Sequence, residues 1–176
     1  AVSVDIAPDV LVVPTGTTEP RSLSVTVRSA ARDTIRGVLH VANGGWRVSP
    51  ASVDLTLPPG AVRRIDVDVV PTGHADAERV TLQAQVAGPG GRAWQRGYDV
   101  VAYPHIRPRP LYEDASAVLQ VVDVDIVPDL LVGYVEGAGD DGAAALRQMG
   151  ARVELLDSAA LATRDLARYD AIVAGI

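Results

Sequence analysis

Cysteine is absent from the chain, so it has no disulfide framework and no thiolate chemistry. The compartment stays open on that ground, because oxidising and reducing locations both tolerate such a chain. Phe and Lys are absent as well, and all sixteen basic residues are Arg, which reads as coding bias rather than chemistry. No apolar run approaches the roughly 20 residues that a bilayer crossing needs, and the opening AVSVDIAPDV lacks the basic and long apolar stretches of a secretory leader. Neither a G-x-S-x-G elbow nor an H-E-x-x-H pair occurs, so the familiar hydrolase machinery is missing. No basic patch stands out to neutralise phosphates, and the acidic net charge of −6 argues against nucleic acid or an anionic membrane as partner.

What is present is enough for a real core: 176 residues, 48% of them hydrophobic, sized for one or two domains. The charge is unevenly placed. Residues 1–105 carry ten Arg against ten acids, whereas residues 106–176 carry six Arg against twelve, so the whole excess lies in the last part and two units are expected.

The first unit, residues 1–104, reads as an antiparallel, immunoglobulin-like β-sandwich of about seven strands. SLSVTVRS, VDLTLPPG, RRIDVDVVP and RVTLQAQVA alternate apolar and polar residues with a period of two. Pro14-Thr15-Gly16, Asn43-Gly44-Gly45, Pro58-Pro59-Gly60, Pro71-Thr72-Gly73 and Gly88-Pro89-Gly90-Gly91 supply the turns between them. The expected inward faces are Leu23, Val25 and Val27; Leu39 and Val41; Val53, Leu55 and Leu57; Ile65, Val67 and Val69; Leu82, Ala84 and Val86; and Trp94, Tyr98 and Val100.

Trp46 and Trp94 are large enough to stack on a sugar ring, although a sandwich core ordinarily contains a buried Trp. His40, His74 and His105 lie far apart, none with a partner at metal-ligand spacing, so no zinc site is assigned. Residues 105–120, rich in proline, are expected to cross extended from one unit to the next. Asp123, Asp125 and Asp129 follow, but the glycine and distant Glu of a calcium loop are missing, and strand alternation accounts for them.

Residues 121–176 read as the first part of a flavodoxin- or amidotransferase-like α/β domain with a parallel sheet. LLVGYV is an apolar strand, DDGAAALRQMG a helix begun by Asp140 or Asp141 and stopped by Gly150, and RVELLD a second strand. SAALATRDLARYD supplies short helical turns, and AIVAGI is apolar almost throughout, as a strand covered on both faces would be. About 45 residues do not complete such a layer, so further strands are expected to belong to it. Gly137, Gly139 and Gly142 spell G-x-G-x-x-G between strand and helix, and Asp157 stands near the position of a ribose-binding acid, as in a dinucleotide site. Against a phosphate there, Asp140 and Asp141 place negative charge at the helix N-terminus, where the same carboxylates stabilise an empty turn. A sugar or other neutral polar ligand held by those acids is the third reading. The candidate ligand-binding residues are therefore Gly137, Gly139, Asp140, Asp141, Asp157, Trp46 and Trp94, with no catalytic residue and no metal ligand assigned.

The phrases V-G-Y-V-x-G-A-G-D, L-R-Q-x-G, V-x-L-L-D and D-L-x-x-Y-D-A-I-V resemble the amidotransferase-like (ThuA-like) C-terminal segment of large bacterial LmbE/PIG-L-type deacetylases. GVLHVANGGWRVSP and AYPHIRPRPLY look like the sandwich module and joining segment of the same proteins. The resemblance implies a parent that removes N-acetyl groups from a GlcNAc-type sugar, is often exported, and holds zinc in a His-Pro-Asp-Asp-type motif. That motif does not occur in these residues, nor does the Cys that catalytic amidotransferase-like domains use, so no catalytic residue carries over and no cofactor is expected in this segment. The expected function is a non-catalytic scaffold or glycan-positioning region, with the parent's catalytic domain and a glycan as partners. A nucleotide-binding enzyme using the GAGDDG loop is the alternative.

Overall fold

Alternating strands bury a side chain only if two of them face each other, and that requirement shapes most of the molecule. The computed structural model describes residues 2–42, 45–71, 79–101, 105 and 107–176. The chain runs through β1 (Val2–Ala7), β2 (Val10–Pro14), β3 (Arg21–Ser29), β4 (Ile35–Ala42), β5 (Arg47–Ser49), β6 (Ser52–Leu57), β7 (Val62–Val70), β8 (Arg79–Ala87) and β9 (Ala93–Trp94). It continues with β10 (Arg96–Val101), β11 (Arg109–Asp114), β12 (Ser116–Val122), β13 (Leu131–Val135), α1 (Gly142–Met149), β14 (Arg152–Leu155), α2 (Ser158–Thr163) and β15 (Ala171–Ala174).

One sheet has the order β1-β3-β7-β5, the other β2-β12-β8-β4-β6 with β9 beside β8. Their inner faces share one apolar cluster in which Val4, Val25, Val27, Val67 and Val69 of the first sheet meet Leu39, Leu57, Leu82, Val86 and Leu119 of the second. Each of these side chains is at most 1% exposed, and full burial of such a group stabilises by about 1.5–3 kcal/mol. The molecule is thus a mostly antiparallel β-sandwich, and the inward faces expected for β3, β4 and β8 are the buried ones. Val53 and Ile65 are half-buried at the margin of that cluster.

Two expectations about the sandwich need correction. Residues 105–120 are not an extended crossing: β11 and β12 fall largely within them, and β12 lies inside the larger sheet, antiparallel to β8 and parallel to β2. Ala117, Leu119 and Val121 are buried there, so the apolar alternation of this stretch closes the sandwich instead of opening a second unit. Tyr98 and Val100 point outward, 41% and 56% exposed; among the described residues β10 pairs with β11 alone, in a separate two-stranded ribbon. The expected turns at 43–44 and 72–73, His74 and Pro104 lie outside the described residues.

After β12, residues 131–174 form a three-stranded parallel sheet of order β14-β13-β15. Alternation on β13 sends Tyr134 toward α1 and Gly133 toward Leu156 and Tyr169. Leu156, Ala160 and Tyr169 make a second, small core with Leu131, Val135, Leu161 and Leu166. Gly150 ends α1 with φ +111°, the left-handed cap expected of it, its amide donating to the Arg147 carbonyl. The apolar strand β15 was expected to be covered on both faces. It is an edge strand with Ile172 46% and Val173 36% exposed. Gln148 of α1 ties this sheet to the sandwich: its Oε1 accepts from the Val12 amide of β2 at 2.7 Å.

Candidate functional site

The glycine loop sits at the carboxyl ends of β13 and β15, where the order of the parallel sheet reverses, the customary ligand crevice of such a sheet. Its amides already have an anion. Asp140 Oδ2 accepts from the Gly137 amide at 2.8 Å, and Oδ1 accepts from the Gly142 amide at 3.0 Å and the Tyr134 hydroxyl at 2.6 Å. Tyr134, delivered by β13 and 4% exposed, is raised above the ordinary phenol range by its hydrogen bond to Asp140 and then by burial. The Asp140 carboxyl is held below the ordinary carboxylate range, first by the Tyr134 hydroxyl and then by the Gly142 and Gly137 amides.

Close packing leaves little room for a side chain at Gly142 and Gly175. A Cβ on Gly142 would stand 2.0 Å from the Tyr134 hydroxyl, and one on Gly175 1.9 Å from Asp140 Oδ2. Gly139, at φ +81°, forms the outer bend. Asp141 occupies the N-cap position of α1, but its side chain makes no capping bond; the preceding Asp140 does that work. Asp157 is the N-cap of α2, accepting from the Ala160 amide at 2.7 Å. The structure therefore brings Gly137, Asp140 and Gly142 together around one carboxylate and leaves Asp141 and Asp157 apart from it.

The two Trp residues are also separated. Trp46 is 5% exposed within the sandwich core, so it offers no face to a sugar, which corrects its place among the candidates. Trp94 is half-buried, its ring lying against Gly88 so closely that a Cβ there would be 2.3 Å from it. Among the described residues no group of three His, Cys, Asp or Glu side chains is arranged to hold a metal ion.

A site absent from the sequence reading lies on the outer face of the larger sheet. His40 of β4 pairs with Gln85 of β8, and Ala42 with Gln83, so alternation turns these side chains away from the core. Gln95, Asp114 and Ala51 join them in lining a groove of about 210 Å³. The lining offers three amides, an imidazole and one carboxylate, which together donate and accept in many directions with little net charge. The signal was present in T-L-Q-A-Q-V, where Gln83 and Gln85 occupy successive outward positions, but nothing in the chain order says that His40, Gln95 and Asp114 converge on them.

No protein-family model matches the chain, and no curated protein matches it. Among solved structures it is similar to a family 123 glycoside hydrolase from Clostridium perfringens, at 5% identity and a TM-score of 0.43, covering 77% of this chain and 31% of that one. It is similar also to the E. coli chaperone DraB, at 13% identity and a TM-score of 0.36, covering 69% of this chain and 55% of that one. A third is SSP-19, an MSP-domain protein like family member of Caenorhabditis elegans, at 11% identity and a TM-score of 0.32, covering 66% of this chain and 97% of that one. The chain spans about a third of the hydrolase's length and about half of the chaperone's. Likenesses of this strength carry no argument about activity.

Proposed function

We propose that the chain is a non-catalytic accessory region that positions a neutral glycan for a PIG-L-type N-deacetylase, the zinc chemistry belonging to the parent's catalytic domain. The observation that carries this reading is the groove of His40, Gln83, Gln85, Gln95 and Asp114. Sugar hydroxyls both donate and accept, and a set of amides beside one carboxylate answers them without selecting for charge. The phrases shared with the deacetylase family, and a parallel sheet begun in the manner of an amidotransferase-like domain, support the parent context. The nucleotide alternative is weakened by Asp140, whose carboxylate fills the amides that a phosphate would need.

Calorimetric titration of the chain with N-acetylglucosamine and its oligomers tests the reading. A dissociation constant in the millimolar range or tighter is expected for wild type. Each lost hydrogen bond is worth about 1 kcal/mol, so His40→Ala/Gln83→Ala weakens binding by about tenfold or more. Wild-type protein with no heat of binding to any of these sugars contradicts the proposal.

A further inference from the structure

The β10–β11 ribbon carries a second surface that adjoins the groove. Its register sets Arg96 opposite Asp114, Tyr98 opposite Tyr112 and Val100 opposite Pro110. Side chains alternate across a strand, so these six share one face. Arg96 Nε donates to Asp114 Oδ1 at 2.8 Å, and the two Tyr rings lie 6.1 Å apart, tilted by 52°. The opposite face holds Gly97, where a Cβ would collide with Asp5 of β1, so the Tyr face turns away from the first sheet. Tyr98 is 41%, Val100 56% and Tyr112 63% exposed.

We propose that this face is a second sugar subsite, which takes the neutral pyranose rings extending from a glycan seated in the groove. The inference rests on the reading of that groove. Asp114 is the joint, since it lines the groove and stands two residues from Tyr112 on the same ribbon face, about 7 Å along an extended strand. The C–H face of a pyranose is apolar and weakly positive, and it packs on the negative face of an aromatic ring. Two rings tilted against each other present two facets, which suit successive sugars rotated about their linkage. Arg96 and Asp114 add a donor and an acceptor for hydroxyls while cancelling each other's charge, so the strip favours a neutral chain over a polyanion, which the net charge of −6 also repels.

The test is calorimetric titration of the whole chain with N-acetylglucosamine oligomers from the monosaccharide to the hexasaccharide. Affinity is expected to rise by about tenfold once the oligomer is long enough to reach the Tyr pair, the gain of a good aromatic contact. Tyr98→Ala/Tyr112→Ala abolishes that rise and leaves the monosaccharide constant unchanged, Tyr98→Phe/Tyr112→Phe retains the rise, and His40→Ala/Gln83→Ala weakens binding at every length. A length-dependent rise that persists in Tyr98→Ala/Tyr112→Ala overturns the inference while the groove reading stands. Wild type that binds no sugar of any length overturns both. Sedimentation showing a wild-type dimer and a monomeric Tyr98→Ala/Tyr112→Ala protein assigns the strip to a second copy of the chain and also overturns the inference.

Discussion

Leu119→Ala asks whether β12 belongs to the sandwich. Leu119 is fully buried, with Leu82 and Leu39 in the same cluster, and β12 bridges β8 and β2 by main-chain bonds. Truncation removes three buried carbons and leaves a cavity between strands paired on both sides, which resist collapse into it. Leu→Ala changes at such sites cost about 2–5 kcal/mol. For a chain of this size each kcal/mol lowers Tm by about 2–4 °C, so a fall of about 4–20 °C is expected. Leu111→Ala on the exposed ribbon, where Leu111 is 51% accessible, is the control and should move stability by no more than about 0.5 kcal/mol. Urea unfolding followed by circular dichroism gives both values under one condition. If Leu119→Ala unfolds at the same urea concentration as Leu111→Ala, residues 116–122 are a linker after all, and the proposed closure of the sheet is wrong.

Other consequences are open to measurement. Because the folded Asp140 carboxyl titrates below its unfolded value, its contribution is complete above the ordinary carboxylate range and is lost as pH falls through the lowered folded value. Asp140→Asn should therefore lower the urea midpoint at pH 7, and the gap from wild type should narrow toward pH 3; a gap that does not change with pH contradicts the assignment. Gly142→Ala, which sets a methyl against the Tyr134 hydroxyl, should break the same Tyr134–Asp140 bond, seen as a downward shift of the Tyr134 phenol titration followed by ultraviolet absorbance. Asp157→Ala removes the cap of α2 and should cost about 1 kcal/mol in chemical unfolding. Addition of NAD should leave Tm unchanged in wild type and in Asp157→Ala alike; a rise in wild type lost in the variant would restore the nucleotide reading.

Much of the sandwich was legible because its chemistry is local. Alternation in SLSVTVRS and RVTLQAQVA states which side chains turn inward, and Leu23, Val25, Leu82 and Val86 are buried accordingly. Tyr98 misled because the same period of two describes any strand, whether or not a second layer covers it; only the pairing of β10 with β11 alone decides that. Ile172 and Val173 misled for a related reason, since apolar residues on both sides of β15 read as double coverage that the described residues do not supply. At the loop, the sequence showed that an acid begins α1, but not which one. The three-point capture of Asp140 depends on Tyr134 arriving from β13, a tertiary fact. The groove was hidden by distance along the chain, its lining drawn from β4, β8 and the start of the ribbon.

The parallel pairing of β2 with β12 has a bearing on how the molecule is made. Val10–Pro14 is synthesised more than a hundred residues before Val118–Val122, its one strand neighbour among the described residues. Contacts so remote delay folding, because a long loop must close before any of them forms. During synthesis the apolar side chains of β2 must therefore wait in water until β12 emerges, while pairings closer in sequence, such as β4 with β6, can form first.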